Sequence, residues 1–287
     1  MTDDAPTFYS LPEVYDILHA AGTAQEVSGL ERIARRFVQS VPLAEQTWLE
    51  PACGSGRYLR VAAGRGRKVI GFDISPGMVE YANRSIEARL ARRSSTARRS
   101  NNAATLASTP SSPVAHVADL TTFARTMGRV IRPGSVDFAF NLINTIRHLP
   151  SDRAMLDHFE QMAKILKPGG VYALGLSLSS YGFEISSEDI WIGQRGRCEV
   201  RQVVQYLPGT GEGRGGRMER VISHLTVTRE RSVDEIDFTY DLRGYDHAQW
   251  TRLIARSPLK VLGTVREDGS SFKVSEPGYA IFMLRTR

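Results

Sequence analysis

Residues 49–57 read Leu-Glu-Pro-Ala-Cys-Gly-Ser-Gly-Arg, and residues 69–75 read Val-Ile-Gly-Phe-Asp-Ile-Ser. Each stretch begins as a short apolar run, typical of a buried strand, and reaches a carboxylate at Glu50 or Asp73. Gly54 and Gly56 allow the backbone between them to turn sharply and to approach a ligand closely, because they carry no Cβ. Ligands of open parallel sheets bind beyond the carboxyl ends of the strands. The two stretches therefore predict a ligand site at the ends of two neighbouring strands.

Strand and helix patterns alternate outward from these stretches. We predict two N-terminal helices near residues 11–18 and 25–38. The alternation that follows comprises strands at 47–50, 68–72, 114–118, 136–140 and 171–178, with helices at 58–63, 76–90 and 152–166. Such alternation indicates an α/β fold, in which a parallel sheet carries helices on both faces.

The pattern changes after residue 181. Polar and apolar residues alternate in three segments, which predicts antiparallel strands at 198–207, 217–229 and 233–242. A helix at 246–255 and two strands at 259–266 and 278–285 would close the chain as a hairpin on the sheet edge. The predicted organisation is an N-terminal helical cap (1–44), a ligand-binding core (45–180), an antiparallel β region that covers the site and sets substrate choice (181–245), and a closing helix with the terminal hairpin (246–287).

The net charge of +6 comes mainly from one segment. Residues 92–113 contain four arginines and no acidic residue, and are otherwise rich in Ser, Thr, Ala and Asn. A segment this polar cannot bury enough surface to offset its ordering entropy, so we predict a flexible insertion. Because the charge is not spread over a folded face, we do not expect a nucleic-acid partner.

Several features predict a cytoplasmic protein, as a monomer or homodimer. No apolar stretch reaches the roughly 20 residues that cross a bilayer, and residues 1–6 lack the basic and apolar regions of a signal peptide. Cys53 and Cys198 are too few for a disulfide framework. We therefore expect no membrane association.

The glycine pattern argues against a dinucleotide. A Gly-x-Gly-x-x-Gly motif would place a third glycine where this chain has Leu59. Glu50 would repel a pyrophosphate but suits a cationic amino group, and Asp73 can accept hydrogen bonds from vicinal ribose hydroxyls. Two structural alternatives remain open: Glu50 could cap backbone N–H groups, and Asp73 could cap the helix that begins at Pro76. A nicotinamide dehydrogenase fits poorly.

These residues resemble the first two motifs of the class I (Rossmann-like) S-adenosylmethionine-dependent methyltransferases. Residues 117–120, Val-Ala-Asp-Leu, are similar to the family's adenine-contacting motif, residues 140–144 lie where the family contacts the methionine part, and residues 166–170, Leu-Lys-Pro-Gly-Gly, match its turn into strand five. The resemblance implies a seven-stranded, mostly parallel sheet with helices on both faces, plus an antiparallel β insertion between strand five and the last helix. It also implies that S-adenosylmethionine, without a metal, is bound by Glu50, Ala52, Cys53, Gly54, Gly56, Asp73, Ile74, Met78, Asp119, Leu120 and Asn141.

The function that follows from the resemblance is transfer of a methyl group to an oxygen or nitrogen of a small molecule. His148 is the candidate general base, although it could instead be a surface or helix-capping histidine. Tyr15, together with Tyr9, could close over the cofactor, although Tyr15 could equally pack in the core. Candidates for substrate recognition are Arg195, Arg197 and Tyr245.

Two other functions remain open. The chain could methylate RNA or protein and dock through its Arg-rich insertion, or it could bind the cofactor without catalysing transfer.

Overall fold

The computed structural model describes residues 8–99, 114–213, 215–274 and 278–287, with the side chains of 93–99 excepted, and it contains two β-sheets. The strands are β1 Thr47–Pro51, β2 Lys68–Asp73, β3 Ala115–Val117, β4 Val136–Asn141, β5 Leu166–Leu178, β6 Ser187–Arg195, β7 Cys198–Leu207, β8 Met218–Arg229, β9 Ser232–Arg243, β10 Leu259–Val265 and β11 Gly278–Thr286. The helices are α1 Pro12–His19, α2 Thr23–Phe37, α3 Arg57–Gly64, α4 Pro76–Arg99, α5 Phe123–Thr126, α6 Asp152–Ile165 and α7 His247–Ala255.

The larger sheet has seven strands in the order β10-β11-β5-β4-β1-β2-β3. Strands β1 to β5 pair in parallel, whereas β11 is antiparallel to both β5 and β10. The strand order changes direction between β1 and β4, because β2 and β3 lie on one side of β1 and β4 and β5 lie on the other. Ligands of such sheets bind at the carboxyl ends of the strands at this switch point. The predicted fold class, with its terminal hairpin, is confirmed.

Helices bury both faces of this sheet. Trp48 and Phe138 point to the face covered by α2, α3 and α4, whereas Leu49, Phe72 and Ala139 point to the face covered by α5, α6 and α7. Burial on both faces explains why these strands are almost continuously apolar in sequence.

The smaller sheet is antiparallel, in the order β6-β7-β8-β9. Val200, Leu225 and Val227 on one face pack against Phe8 and the apolar side of α1. Sequence analysis predicted three of its strands and missed β6. Nearly all of β6 is exposed, including Ile192 at 63%, and a strand with no buried face gives no alternating pattern.

Helix α4 is longer than predicted. The sequence interpretation ended this helix near Leu90 and assigned residues 92–113 to a flexible insertion, which is wrong for residues 92–99 because α4 continues to Arg99. Residues 91–99 contain neither Gly nor Pro, and their alanines and arginines favour helix. Residues 100–113 lie outside the described part of the chain. Among the described residues, no helix is long and apolar enough to span a membrane.

Candidate active site

A turn of five residues, 52–56, connects β1 to α3 and is called the glycine turn below. Ala52, Gly54 and Gly56 all have positive φ, at 52°, 51° and 70°. Gly56 allows α3 to pack on α4, because a Cβ there would lie 2.7 Å from the Cβ of Ala82. Cys53 donates its backbone N–H to Phe72 of β2 at 2.9 Å and is itself buried. The turn is therefore fixed against the neighbouring strand.

Asp73 fastens the glycine turn to the end of β2. Its Oδ2 accepts from the N–H of Gly54 at 2.8 Å, and its Oδ1 accepts from the N–H of Ser75 at 2.9 Å. Burial raises the pKa of Asp73, and these N–H bonds oppose the rise. Ser75 rather than Asp73 caps α4, because Ser75 Oγ accepts from the N–H of Met78 at 3.3 Å. Each carboxylate oxygen retains a lone pair for a ligand hydroxyl.

Two buried acceptors lie at the adjacent ends of β1 and β4. Glu50 Oε2 and Asn141 Oδ1 have no hydrogen-bond partner within the described chain, although Asn141 donates through Nδ2 to the carbonyl of Pro51 at 2.7 Å. Burial raises the pKa of Glu50 well above its ordinary value, and the Arg57 guanidinium opposes this rise. A buried acceptor without a partner carries a desolvation penalty of about 1–3 kcal/mol. The pair suits a ligand that brings donors, such as the amino group of a methionine moiety.

An apolar surface lies beyond β2 and β3, on the other side of Asp73. The side chains of Ile74 and Val117 are 69% and 53% exposed, and Val117 is opposite Asp73 in the strand register. Asp119 follows Val117 by two residues, and its Oδ1 accepts from the N–H of Thr121 at 2.8 Å and from the hydroxyl of the same residue. Leu120 is half-buried and Met78 fully buried nearby in sequence. The surface suits a planar base with a polar edge.

Four side chains from distant segments form an aromatic cluster: Tyr9, Tyr15, His148 and Tyr240. The Tyr9 hydroxyl lies 2.8 Å from Nε2 of His148. The His148 ring centroid lies 5.4 Å from that of Tyr240 on β9, and the Tyr9 centroid lies 6.1 Å from that of Tyr15. A Cβ at Gly54 would lie 3.6 Å from Cε1 of Tyr15. The aromatic cluster therefore extends from the glycine turn to the antiparallel sheet.

The members of the aromatic cluster are uncharged at neutral pH. Desolvation by the residues packed around it, followed by the nearby Arg147 guanidinium, lowers the pKa of His148 to about 4, although the side chain keeps an edge exposed to solvent. Burial raises the pKa of Tyr15 to about 12 and raises that of Tyr9 well above its ordinary value. The imidazole of His148 can therefore accept a hydrogen bond, while Tyr9 orients its ring.

The backbone that leads from Asn141 to His148 is strained. Ile143 and Asn144 have positive φ, at 54° and 61°, a region that β-branched residues rarely occupy. Asn144 exchanges two side-chain hydrogen bonds with Ser177, and the N–H of Ile143 donates to the Tyr279 hydroxyl at 3.2 Å. These contacts hold the strained turn and so fix the position of the short 3₁₀ helix that carries His148.

The three recognition candidates are engaged within the protein. Arg195 pairs with Asp16 at 2.6 Å, Arg197 pairs with Glu230 on the surface, and Tyr245 is fully buried. In contrast, sequence analysis did not single out Tyr240, because nothing near it in sequence indicates that β9 passes over His148. In the described part of the chain, no group of three or more His, Cys, Asp or Glu side chains could hold a metal ion.

Comparison with known proteins agrees with this geometry. Residues 49–135 match a family model described as a methyltransferase domain. No curated protein matches the chain.

Solved structures are similar over nearly the whole chain. A S-adenosylmethionine-dependent methyltransferase from Clostridium acetobutylicum is 13% identical, with 97% of this chain and 98% of that chain covered and a TM-score of 0.64. DesVI from Streptomyces venezuelae is 16% identical, with 96% and 98% covered and a TM-score of 0.64. The sugar N-methyltransferase KedS8 from a Streptoalloteichus species is 17% identical, with 98% and 95% covered and a TM-score of 0.60.

The resemblance inferred from the sequence is thereby confirmed: residues 49–135 match a methyltransferase domain, and the chain shares the Rossmann-like fold of solved S-adenosylmethionine-dependent methyltransferases.

Proposed function

We propose that this protein is an S-adenosylmethionine-dependent methyltransferase that acts on a nitrogen or oxygen of a small molecule. The observation that carries the proposal is the aromatic cluster, which links neutral His148 to the glycine turn through Tyr9 and Tyr15. Asp73 holds this turn at 2.8 Å, and Tyr15 connects the turn to Tyr9 and His148. A site for a nucleoside ligand and a candidate base thus lie next to each other.

The residues at the strand ends have distinct proposed roles toward the cofactor. Glu50 would accept from the methionine amino group, because its buried Oε2 has no partner among the described residues. Asp73 would accept from the ribose hydroxyls. Ile74 and Leu120 would cover the adenine, with Asp119 at its exocyclic amine. The remaining proposed contacts come from the glycine turn and its surroundings: Ala52, Cys53, Gly54, Gly56, Met78 and Asn141.

When bound, S-adenosylmethionine supplies a methyl group already activated by its sulfonium. The protein therefore has to align the acceptor and exclude water, and good alignment can contribute about 7–11 kcal/mol. With Nε2–H donating to the Tyr9 hydroxyl, Nδ1 of neutral His148 would accept a hydrogen bond from the N–H or O–H of the acceptor and take its proton as the new bond forms. Such general-base assistance typically contributes about 10²–10⁴-fold. Tyr9 would hold the imidazole in place.

We propose a nitrogen of a sugar-sized molecule as the preferred acceptor. KedS8, which shares the fold, is described as a sugar N-methyltransferase. We propose that the acceptor binds beside His148 and Tyr240, where the antiparallel region 181–245, which the sequence analysis assigned to substrate choice, would contact it. The proposed location is the cytoplasm, supported by the two free cysteines, and the proposed state is a monomer or homodimer.

Calorimetric titration with S-adenosylmethionine and S-adenosylhomocysteine tests the proposal. We expect saturable micromolar binding by the wild-type protein. Asp73→Ala should weaken it about 100-fold, because the glycine turn loses the acceptor that fixes it and the ligand loses a charged partner. Asp241→Ala is the matched control, because Asp241 pairs with Arg220 on the exposed face of the antiparallel sheet. A folded wild-type protein that binds neither ligand would contradict the proposal.

A further inference from the structure

Asp16 on α1 is a buried carboxylate that joins four other elements or loops. Its side chain is 1% exposed, and it accepts from Ser55 Oγ of the glycine turn at 2.9 Å and from the Tyr81 hydroxyl of α4 at 3.0 Å. It also pairs with Nη2 of Arg60 on α3 at 3.0 Å and with Nη2 of Arg195 on β6 at 2.6 Å. Arg195 additionally donates to Tyr81 at 2.9 Å. One side chain therefore contacts the glycine turn and the edge of the antiparallel sheet.

Helix α1 is packed tightly on both sides of this carboxylate. On one side, Tyr15 lies over Gly54 of the glycine turn. On the other side, a Cβ at Gly193 of β6 would lie 2.3 Å from the carbonyl oxygen of Ile17, so the strand backbone rests directly on the helix. Helix α1 and β6 should therefore move together.

The electrostatics of Asp16 require both arginines. Burial by itself raises the pKa of the carboxyl, but Arg60, Arg195 and Ser55 outweigh burial, and the net pKa lies below its ordinary value. Removal of one partner from such a buried charge is costly, since the remaining charge loses its compensation. The carboxylate consequently favours the arrangement in which Arg195 is held against α1.

We propose that Asp16 is a positioning residue that couples cofactor binding at the glycine turn to the position of β6, an edge strand of the antiparallel sheet. This inference rests on the proposed function. Ser55 lies between Gly54 and Gly56, so a ligand that fixes the turn also fixes the hydroxyl that bonds Asp16. The same carboxylate then holds Arg195 and, with it, the hairpin of β6 and β7. Such coupling is reciprocal: an ordered hairpin also favours the bound form of the turn.

Amide hydrogen exchange with and without S-adenosylhomocysteine tests the coupling. In the wild-type protein, we expect the ligand to slow exchange about tenfold in α1 and in residues 187–207. Arg195→Gln should still bind the ligand, at most about tenfold more weakly as the reciprocal coupling requires, but lose the slowing in residues 187–207. The variant should fold, because the side chain of Arg195 is 42% exposed. Arg195→Lys, which keeps the charge, should restore part of the effect.

Two further variants sharpen the test. Asp16→Asn should weaken S-adenosylhomocysteine binding about tenfold, because it uncouples Ser55 from the two arginines. Arg197→Gln is the matched control on the same hairpin, since Arg197 pairs with Glu230 and both side chains are mainly exposed. It should behave as the wild type.

The outcomes separate this inference from the proposed function. Ligand binding without slowed exchange in residues 187–207, or slowing that survives in Arg195→Gln, would overturn the coupling and leave the methyltransferase proposal intact. Failure of the folded wild type to bind S-adenosylhomocysteine would overturn the proposed function and the coupling with it.

Discussion

The two sheets of this molecule contribute to its candidate site in opposite ways. The parallel sheet is buried on both faces and presents ligand-facing groups from short, contiguous stretches at its strand ends, such as residues 49–57. The antiparallel sheet is buried on one face only, and its outer face exposes apolar side chains such as Ile190 and Ile192. Its contribution to the aromatic cluster is one residue, Tyr240, that depends on packing far along the chain.

The difference shows how the sequence specifies the cofactor side and the acceptor side of the candidate site. The cofactor side depends on local backbone geometry, because the glycine turn and Asp73 are only 19 residues apart. The acceptor side depends on tertiary contacts, because Tyr9 and His148 are 139 residues apart. Variants on the acceptor side should therefore change catalysis and leave cofactor binding intact, whereas variants on the cofactor side should do the reverse.

The largest expected effect is that of His148→Ala. Loss of the candidate base should lower kcat about 10²–10⁴-fold with the preferred acceptor, because the acceptor proton then has no positioned partner. The dissociation constant for S-adenosylhomocysteine should stay within about twofold of the wild-type value, because His148 belongs to the acceptor side and not to the cofactor side. Steady-state kinetics and calorimetry on the same preparation measure both quantities. His224→Ala is the control, since His224 bonds Asp237 on the exposed sheet face.

The pH profile of the wild type checks the same assignment. With a pKa of about 4, His148 is neutral throughout the neutral range, so its titration should not lower kcat between pH 8 and pH 6. A histidine at its ordinary pKa of about 6.5 would be half protonated within that range. A fall in kcat with that midpoint, abolished by His148→Ala, would show that the site leaves the imidazole far more solvated.

Two smaller effects are expected for Glu50→Gln: the ligand-free protein becomes more stable, and S-adenosylmethionine binds more weakly. Burial raises the pKa of Glu50, so the folded state prefers the protonated form, and stability is lost as pH rises from the unfolded toward the folded pKa. At neutral pH, where the carboxyl of the unfolded chain is ionised, burial of Glu50 therefore destabilises the ligand-free protein. The glutamine should raise the melting temperature by about 2–4 °C, which corresponds to about 1 kcal/mol, and weaken S-adenosylmethionine binding about tenfold through loss of a charge-assisted hydrogen bond.

Thermal unfolding without the ligand measures the change in stability, and unfolding with S-adenosylmethionine measures the change in ligand binding. Glu45→Gln, at an exposed position, is the control and should change neither. A glutamine variant that loses stability in the ligand-free state would mean that Glu50 has a structural partner role, as in the backbone-capping alternative.

The sequence predicted the parallel sheet well because each strand there carries its own apolar run and turn signal. The position of Asp73 at the end of β2 followed from that pattern alone. Strand β6 could not be found, because Ile190 and Ile192 are exposed and Trp191 is only partly covered. The partnership of Tyr240 with His148 was equally inaccessible, since it depends on tertiary packing of β9 on the 3₁₀ helix, where Nε of Arg147 donates to the carbonyl of Arg243 at 2.9 Å.

The smallest expected effect concerns the strained turn that carries the acceptor side. Ile143 has a φ of 54° and is 52% exposed, so its side chain contributes little burial against the strain it imposes. Ile143→Gly should therefore raise stability by about 1 kcal/mol, because glycine adopts positive φ without a steric penalty. Ile190→Gly is the matched control: it is 54% exposed on β6, an extended strand, and should lose about 1 kcal/mol.

The kcat of Ile143→Gly shows which contacts fix the position of His148. Asn144 keeps its hydrogen bonds to Ser177, and the N–H of residue 143 keeps its bond to Tyr279, so the turn should retain its shape when the strain is relieved. We therefore expect kcat to change less than about twofold. A large fall in kcat together with higher stability would show that the Ile143 side chain itself fixes the 3₁₀ helix, and that strain at this turn is needed to place His148 beside the glycine turn.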